Sequence, residues 1–179
     1  MKLKIISVLL TVVLSLTILS GCAKSSTEDT SSSDLVTTAS IVDNATAFES
    51  AISKNGTWLI GLVKDVQIDK DIVLDGDFKN GKTDSSGAET FQRKIALYTQ
   101  DEERNVTARF TLTAPKLTIK SVKSSIQHGT FKGDLYVAVN DFNLVDAKIE
   151  GNIYFESEEF KSSFTMDDKS SVTGVQEVK

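Results

Sequence analysis

Two clusters of side chains in this sequence have types and spacings that could do chemistry. Asp65, Asp69, Asp71, Asp75 and Asp77 point away from the side taken by Val66, Ile68, Ile72 and Leu74. Gathered carboxylates are the chemistry of Ca²⁺, which takes about six or more oxygen ligands. Asp69, Asp71, Asp75 and Asp77 are therefore the candidate metal ligands, and calcium is the one cofactor the pattern suggests. Their spacing departs from the Asp-x-Asp-x-Asp-Gly loop of an EF-hand. Lys64, Lys70 and Lys79 interleave, so the plainer reading is a solvated acidic face. The second cluster is aromatic. Tyr98, Tyr136 and Tyr154 are the three tyrosines, and all have outward parity on alternating segments. Outward rings on a flat sheet make a stacking platform for sugar rings or for a partner protein. Alternatively they only steady adjacent strands, at about 0.2–1 kcal/mol per pair.

Other catalytic chemistry is sparsely represented. The chain has one His and one Cys. His128 sits in Gln127-His128-Gly129, which reads as a corner between strands. A disulfide framework is excluded, and so are most metal sites built on His and Cys. No Ser lies in the Gly-x-Ser-x-Gly setting of a hydrolase elbow. The arginines are Arg93, Arg104 and Arg109. Arg104 reads as part of a polar turn and Arg109 as outward on a strand. Glycoside hydrolysis needs two carboxyls at a set separation across a sugar, and spacing alone does not fix one. A carbohydrate-active enzyme is therefore the alternative to a non-catalytic binding or structural module.

The 179 residues carry a formal charge of −5, with 40 % apolar and 25 % charged side chains. That composition supports one globular domain. The acidic balance gives no field for phosphate counterion release and excludes nucleic acid as a partner.

The chain opens Met1-Lys2-Leu3-Lys4, continues with an apolar run from Ile5 to Leu19, and reaches Leu19-Ser20-Gly21-Cys22. The run is short for a bilayer span and suits a signal-peptide core. These residues resemble the lipobox of bacterial lipoproteins. The resemblance implies cleavage before Cys22, diacylglycerol on its sulfur, and a membrane anchor of two or three acyl chains, which is a stable number. It also implies the extracytoplasmic face of the cell membrane. Residues 1–21 would be the signal peptide. Residues 22–42 would be the lipidated Cys and a Ser/Thr-rich linker, since the stretch lacks aromatics and cannot bury much apolar area. Residues 43–179 would be the folded domain.

The domain reads as a short helix followed by strands. Asp43 or Thr46 is suited to cap a helix, with Glu49 completing a capping box. Phe48, Ala51 and Ile52 share a face, and Asn55-Gly56 ends it. Beyond Gly56 the apolar period becomes two, which predicts strands and no further helix. Asn80 to Thr90 interrupts the pattern and reads as a surface loop. The strands repeat at a spacing of 18: Leu117-Thr118-Ile119, Leu135-Tyr136-Val137 and Ile153-Tyr154-Phe155, with Gly133/Gly151, Phe131/Ile149 and Phe142/Phe160 in the same register. Ile95/Leu97 precede Leu117/Ile119 by 22 and read as one step earlier, placing Tyr98 on the sheet of Tyr136 and Tyr154. A period near twenty in an all-β chain predicts a β-solenoid. The amphipathic helix, Gly-Thr-Trp-Leu-Ile and Asp-Ile-Val-Leu-Asp-Gly-Asp together resemble the opening of right-handed parallel β-helix proteins of the pectate-lyase type. That resemblance implies that the helix caps the first coil. An antiparallel β-sandwich is the alternative. At the far end Phe160, Phe164, Met166, Val172, Val175 and Val178 continue the apolar pattern without an evident cap, so self-association through the last coil is expected. The other expected partners are envelope glycan or another envelope protein.

Overall fold

A computed structural model describes residues 39–179. Residues 1–38, which include the expected signal peptide, Cys22 and most of the expected linker, lie outside the described residues. The described chain is mostly strand, with two short helices. No helix among the described residues is long and apolar enough to cross a membrane.

Two parallel sheets carry the architecture. The first contains, in spatial order, Ser40–Val42, Leu59–Leu62, Arg93–Ala96, Ser124–Gln127, Asn143–Val145 and Thr165–Met166. In the second, Val66–Gln67 and Ile72–Leu74 lie along Thr111–Ile119, which pairs with Thr130–Val137. Lys148–Glu150 and Ile153–Phe155 follow, and then Ser171–Val172 and Gln176–Val178. From Leu59 onward the chain visits the sheets alternately and advances one position at each visit. The antiparallel sandwich does not form: among the described residues antiparallel pairing is confined to two hairpins.

The alternating sequence pattern explains the core. In a parallel ladder an inward residue lies beside the inward residue of the next strand. Ile60, Ile95, Ile126 and Leu144 are registered neighbours in the first sheet and all are buried. Ile72, Leu117, Leu135 and Ile153 form a buried row in the second, and Leu74, Ile119, Val137 and Phe155 another. At the C-terminal end the rows lose their apolar character, with Gln176 beside Ile153 and Met166 exposed.

The spacing of 18 is real where successive circuits have equal length, as at Leu117, Leu135 and Ile153. Gly133 and Gly151 share that register for a backbone reason. The strand Thr111–Ile119 bulges between Thr113 and Lys116. Gly133 faces the bulge at φ +136°, and a Cβ there would lie 1.8 Å from the Ala114 carbonyl oxygen. A Cβ on Gly151 would in turn lie 2.0 Å from the Gly133 carbonyl oxygen. Asp134 and Asn152, one residue on, form a side-chain ladder. Asn152 donates its backbone N–H and its amide to Asp134 Oδ1, and its own Oδ1 accepts from the Val175 N–H.

Other parts of the sequence reading are corrected. Ile95 is not in register with Leu117: it pairs with Ile60 and Ile126 in the other sheet. Phe142 is not in register with Phe160, because a second helix, Glu158–Ser163, lengthens that circuit so that Leu144 pairs with Met166. Phe142 stacks instead on Phe164, with centroids 5.8 Å apart. Asn80 to Thr90 is an antiparallel hairpin, Lys79–Thr83 with Glu89–Phe91. Ser40–Val42, assigned to the linker by the sequence, is a strand that pairs with Leu59–Leu62. The first helix is Ala45–Ile52, and its N-cap is Asn44, whose extended backbone lets its side chain accept from the Ala47 N–H at 2.9 Å. Phe48, Ala51 and Ile52 on this helix are buried in the core.

Candidate functional site

The tyrosine platform is only partly as expected. Tyr136 and Tyr154 are registered neighbours in the second sheet, with centroids 4.9 Å apart and planes at 51°. With Lys116, Lys120 and Lys179 they line a depression of about 190 Å³. Tyr154, however, is 8 % exposed. Lys179 Nζ lies 3.3 Å from its ring centroid, and the interaction with Tyr154 is the main reason the ammonium is held above its ordinary pKa. Tyr98 is not on that sheet. It begins a second hairpin, Tyr98–Gln100 with Val106–Arg109. Its ring meets His128 edge-on at 4.5 Å, and its hydroxyl accepts from Lys94 Nζ at 3.0 Å.

The acidic strip is dispersed. Asp71 pairs with Lys116 at 2.6 Å, chiefly through the hydrogen bond that raises the lysine pKa. Asp69 accepts from the Gln67 amide, and Asp65 from the Thr111 N–H at 2.7 Å. Asp75 accepts from the Gly76 N–H and lies 3.6 Å from Lys54. Asp77 accepts from the Val122 N–H. Outward parity puts these carboxylates on the surface, but each turns to its own partner. Among the described residues no group of three or more His, Cys, Asp or Glu is gathered as a metal site.

The pocket that stands out is one the sequence did not disclose. Both hairpins are inserted at corners next to the same strand, Arg93–Ala96. Leu74 aligns with Ile119 and Arg93 with Ser124, so residues 75–92 stand where the next circuit has only 120–123. Ala96 aligns with Gln127 and Thr111 with Thr130, so residues 97–110 stand where the next circuit has only His128 and Gly129. Between the hairpins, on the outward face of the first sheet, is a groove of about 630 Å³. Its floor is Ile41, Leu59, Gly61, Lys94 and Ala96. Lys82 comes from the first hairpin, and Tyr98, Thr99, Gln100 and Arg104 from the second or its turn.

Two buried or half-buried networks hold this groove in shape. Arg93 is fully buried. Its Nη2 donates to the Ala51 and Ser53 carbonyls at 2.7 and 3.0 Å, and its Nη1 to those of Asp75 and Gly76 at 3.0 and 3.2 Å. Phe78 lies against the guanidinium at 3.9 Å. One side chain thus ties the floor strand to the end of the first helix and to the base of the first hairpin. Burial pushes its pKa down to about 10, against the pull of Asp75 and Asp77, so it is charged at neutral pH. The second network braces the other hairpin. Arg109 donates to the Asp146 carboxylate at 2.5 Å and to its carbonyl at 3.2 Å, and His128 Nδ1 is 3.1 Å from the same carboxylate. Arg109 first, and His128 after it, hold the Asp146 carboxyl below its ordinary pKa. His128 and Asp146 occupy successive left-handed corners, at φ 59° and 49°.

No family model, no curated protein and no solved structure matches this chain. Its geometry is therefore the basis for any functional reading.

Proposed function

We propose that this chain is a lipid-anchored cell-envelope protein in which a β-solenoid carries a non-catalytic, glycan-binding groove. Alternate visits to two parallel sheets are the pattern of coils in a right-handed β-helix, the hand favoured by parallel crossovers. On this reading the helix Ala45–Ile52 covers the apolar end of the first complete coil. Cys22 supplies the anchor to the extracytoplasmic face, on the strength of the lipobox resemblance.

The observation that carries the binding role is the groove between the hairpins. A regular coil needs neither insertion, yet both insertions flank one strand and wall one recess. The recess joins the apolar side chains of its floor with the half-buried Tyr98 ring of the second hairpin, a surface suited to sugar faces. The role of Tyr136 and Tyr154 becomes mainly structural, since one ring lies under Lys179. A glycan-array screen of the full purified chain tests the reading. Saturable binding to a defined glycan class is expected, and an array without any binder sinks it. Shortening of a bound polymer into products would move the protein to the carbohydrate-active class instead. Incorporation of labelled palmitate, lost on Cys22→Ala, tests the anchor.

A second reading has its own support. Thr165–Met166, Ser171–Val172 and Gln176–Val178 end their sheets, and Met166 and Val175 are exposed there. Unpaired strand edges favour self-association. A purely monomeric boundary in sedimentation at high concentration dismisses a scaffold role.

A further inference from the structure

The groove has a charge character opposite to that of the whole chain. The protein carries −5, yet Lys82, Lys94 and Arg104 line the groove and no Asp or Glu does. Among the described residues none of the three is ion-paired with a carboxylate. Lys94 spends one donor on Tyr98. Lys82 and Arg104 are exposed and belong to separate hairpins, one preceding and one following the floor strand. Three cations around one recess that no acidic side chain lines give it a positive field complementary to an anion.

Resting on the glycan-binding reading of this groove, we infer that its ligand is an acidic glycan, a sugar chain bearing carboxylate or sulfate groups. Lys82, Lys94 and Arg104 take the acidic groups, and the floor takes the sugar faces. Two further observations favour a glycan over a peptide or a bilayer. The central floor strands Leu59–Leu62 and Arg93–Ala96, which lie between the hairpins and carry Lys94, are each paired on both edges, so there the groove offers side chains and not the free N–H and C=O groups that a peptide strand would extend; among the described residues Ser40–Val42, at the end of the sheet, pairs on one edge and contributes Ile41 to the edge of the floor. The cations are set about a recess between two projecting hairpins, where a flat bilayer surface would meet the hairpin tips first.

The test uses two matched polymer pairs, polygalacturonate with its methyl ester and dextran sulfate with dextran, against the full chain in detergent. Within a pair the backbone is constant and only the charge changes. At least one acidic polymer is expected to bind at least about tenfold more tightly than its neutral partner, with affinity falling as salt is raised. The double variant Lys82→Ala/Arg104→Ala is expected to lose about tenfold or more of that affinity, a change of about 1.4 kcal/mol. Both positions are exposed, so its melting temperature should match the native protein. Equal binding within both pairs would overturn the inference while leaving glycan binding intact. So would acidic binding that the double variant does not weaken, or no binding to either acidic polymer. The glycan array decides the broader reading separately.

Discussion

Replacing Arg93 with Met should unfasten the floor of the groove, and the size of the effect can be worked from its contacts. Arg93→Met keeps much of the buried volume and removes the hydrogen bonds to the carbonyls of Ala51, Ser53, Asp75 and Gly76. A hydrogen bond from a charged donor contributes about 1.5–3 kcal/mol, and an orphaned buried carbonyl costs about 1–3 kcal/mol. Relief of the desolvated charge works in the other direction. The last turn of the helix and the Asp75–Gly76 corner can recover part of the loss through water. The balance is a destabilisation of about 3–5 kcal/mol, or a fall of roughly 10 °C in melting temperature for a domain of this size. Arg93→Lys should fall between, because one ammonium cannot span both pairs of carbonyls. Urea unfolding of native, Lys and Met proteins, followed by circular dichroism, measures this directly. A Met variant within 1 kcal/mol of native would refute the view that this guanidinium fastens the helix, the corner and the floor strand together.

Three further outcomes are expected. Gly133→Ala should cost roughly 3 kcal/mol, since it combines a positive φ with a Cβ driven into the Ala114 carbonyl; a melting temperature unchanged from native would contradict the bulge geometry. Tyr154→Ala should destabilise by about 2–4 kcal/mol and Tyr136→Ala by about 1 kcal/mol, because only Tyr154 is buried; equal losses in urea unfolding would show that Lys179 does not shield one ring. Stability should fall as the solution is acidified. The Asp146 carboxyl is depressed in the folded state, so its contribution is present above its ordinary value near 4 and is lost as pH drops toward the folded value. Asp146→Asn should therefore give a shallower decline of the urea midpoint between pH 7 and pH 3, and an identical slope would count against the Arg109–Asp146–His128 network.

The legible part of this fold is the part built of equal circuits. Leu117, Leu135 and Ile153 recur every 18 residues because nothing is inserted between their strands, and Gly133 and Gly151 recur because the bulge tolerates no side chain. Alternation also shows which residues are inward, which is why the core rows were readable. The hairpins hid the rest. They lengthen one circuit at two corners, so the spacing from Ile95 to Leu117 looks like a period and is none. Tyr98 shares the parity of Tyr136 but leaves the sheet with its hairpin. Arg93 gave no signal, since its partners are backbone carbonyls, which every residue carries. The groove was equally invisible, because Lys82, Lys94 and Arg104 come from three segments that only the two insertions bring together. The short helix Glu158–Ser163 did carry a local signal in Ser157, a capping residue followed by two glutamates.

The most direct measurement is titration of the strongest array ligand against native protein and Gly61→Phe. Gly61 lies in the groove floor, and a Cβ there meets nothing closer than Ile41 Cδ1 at 3.5 Å. The new ring should fill the groove without disturbing the sheet. The expected result is a native-like melting temperature with affinity reduced at least about tenfold. Undiminished binding by a folded Gly61→Phe protein would show that the groove between the hairpins is not where this protein meets its ligand.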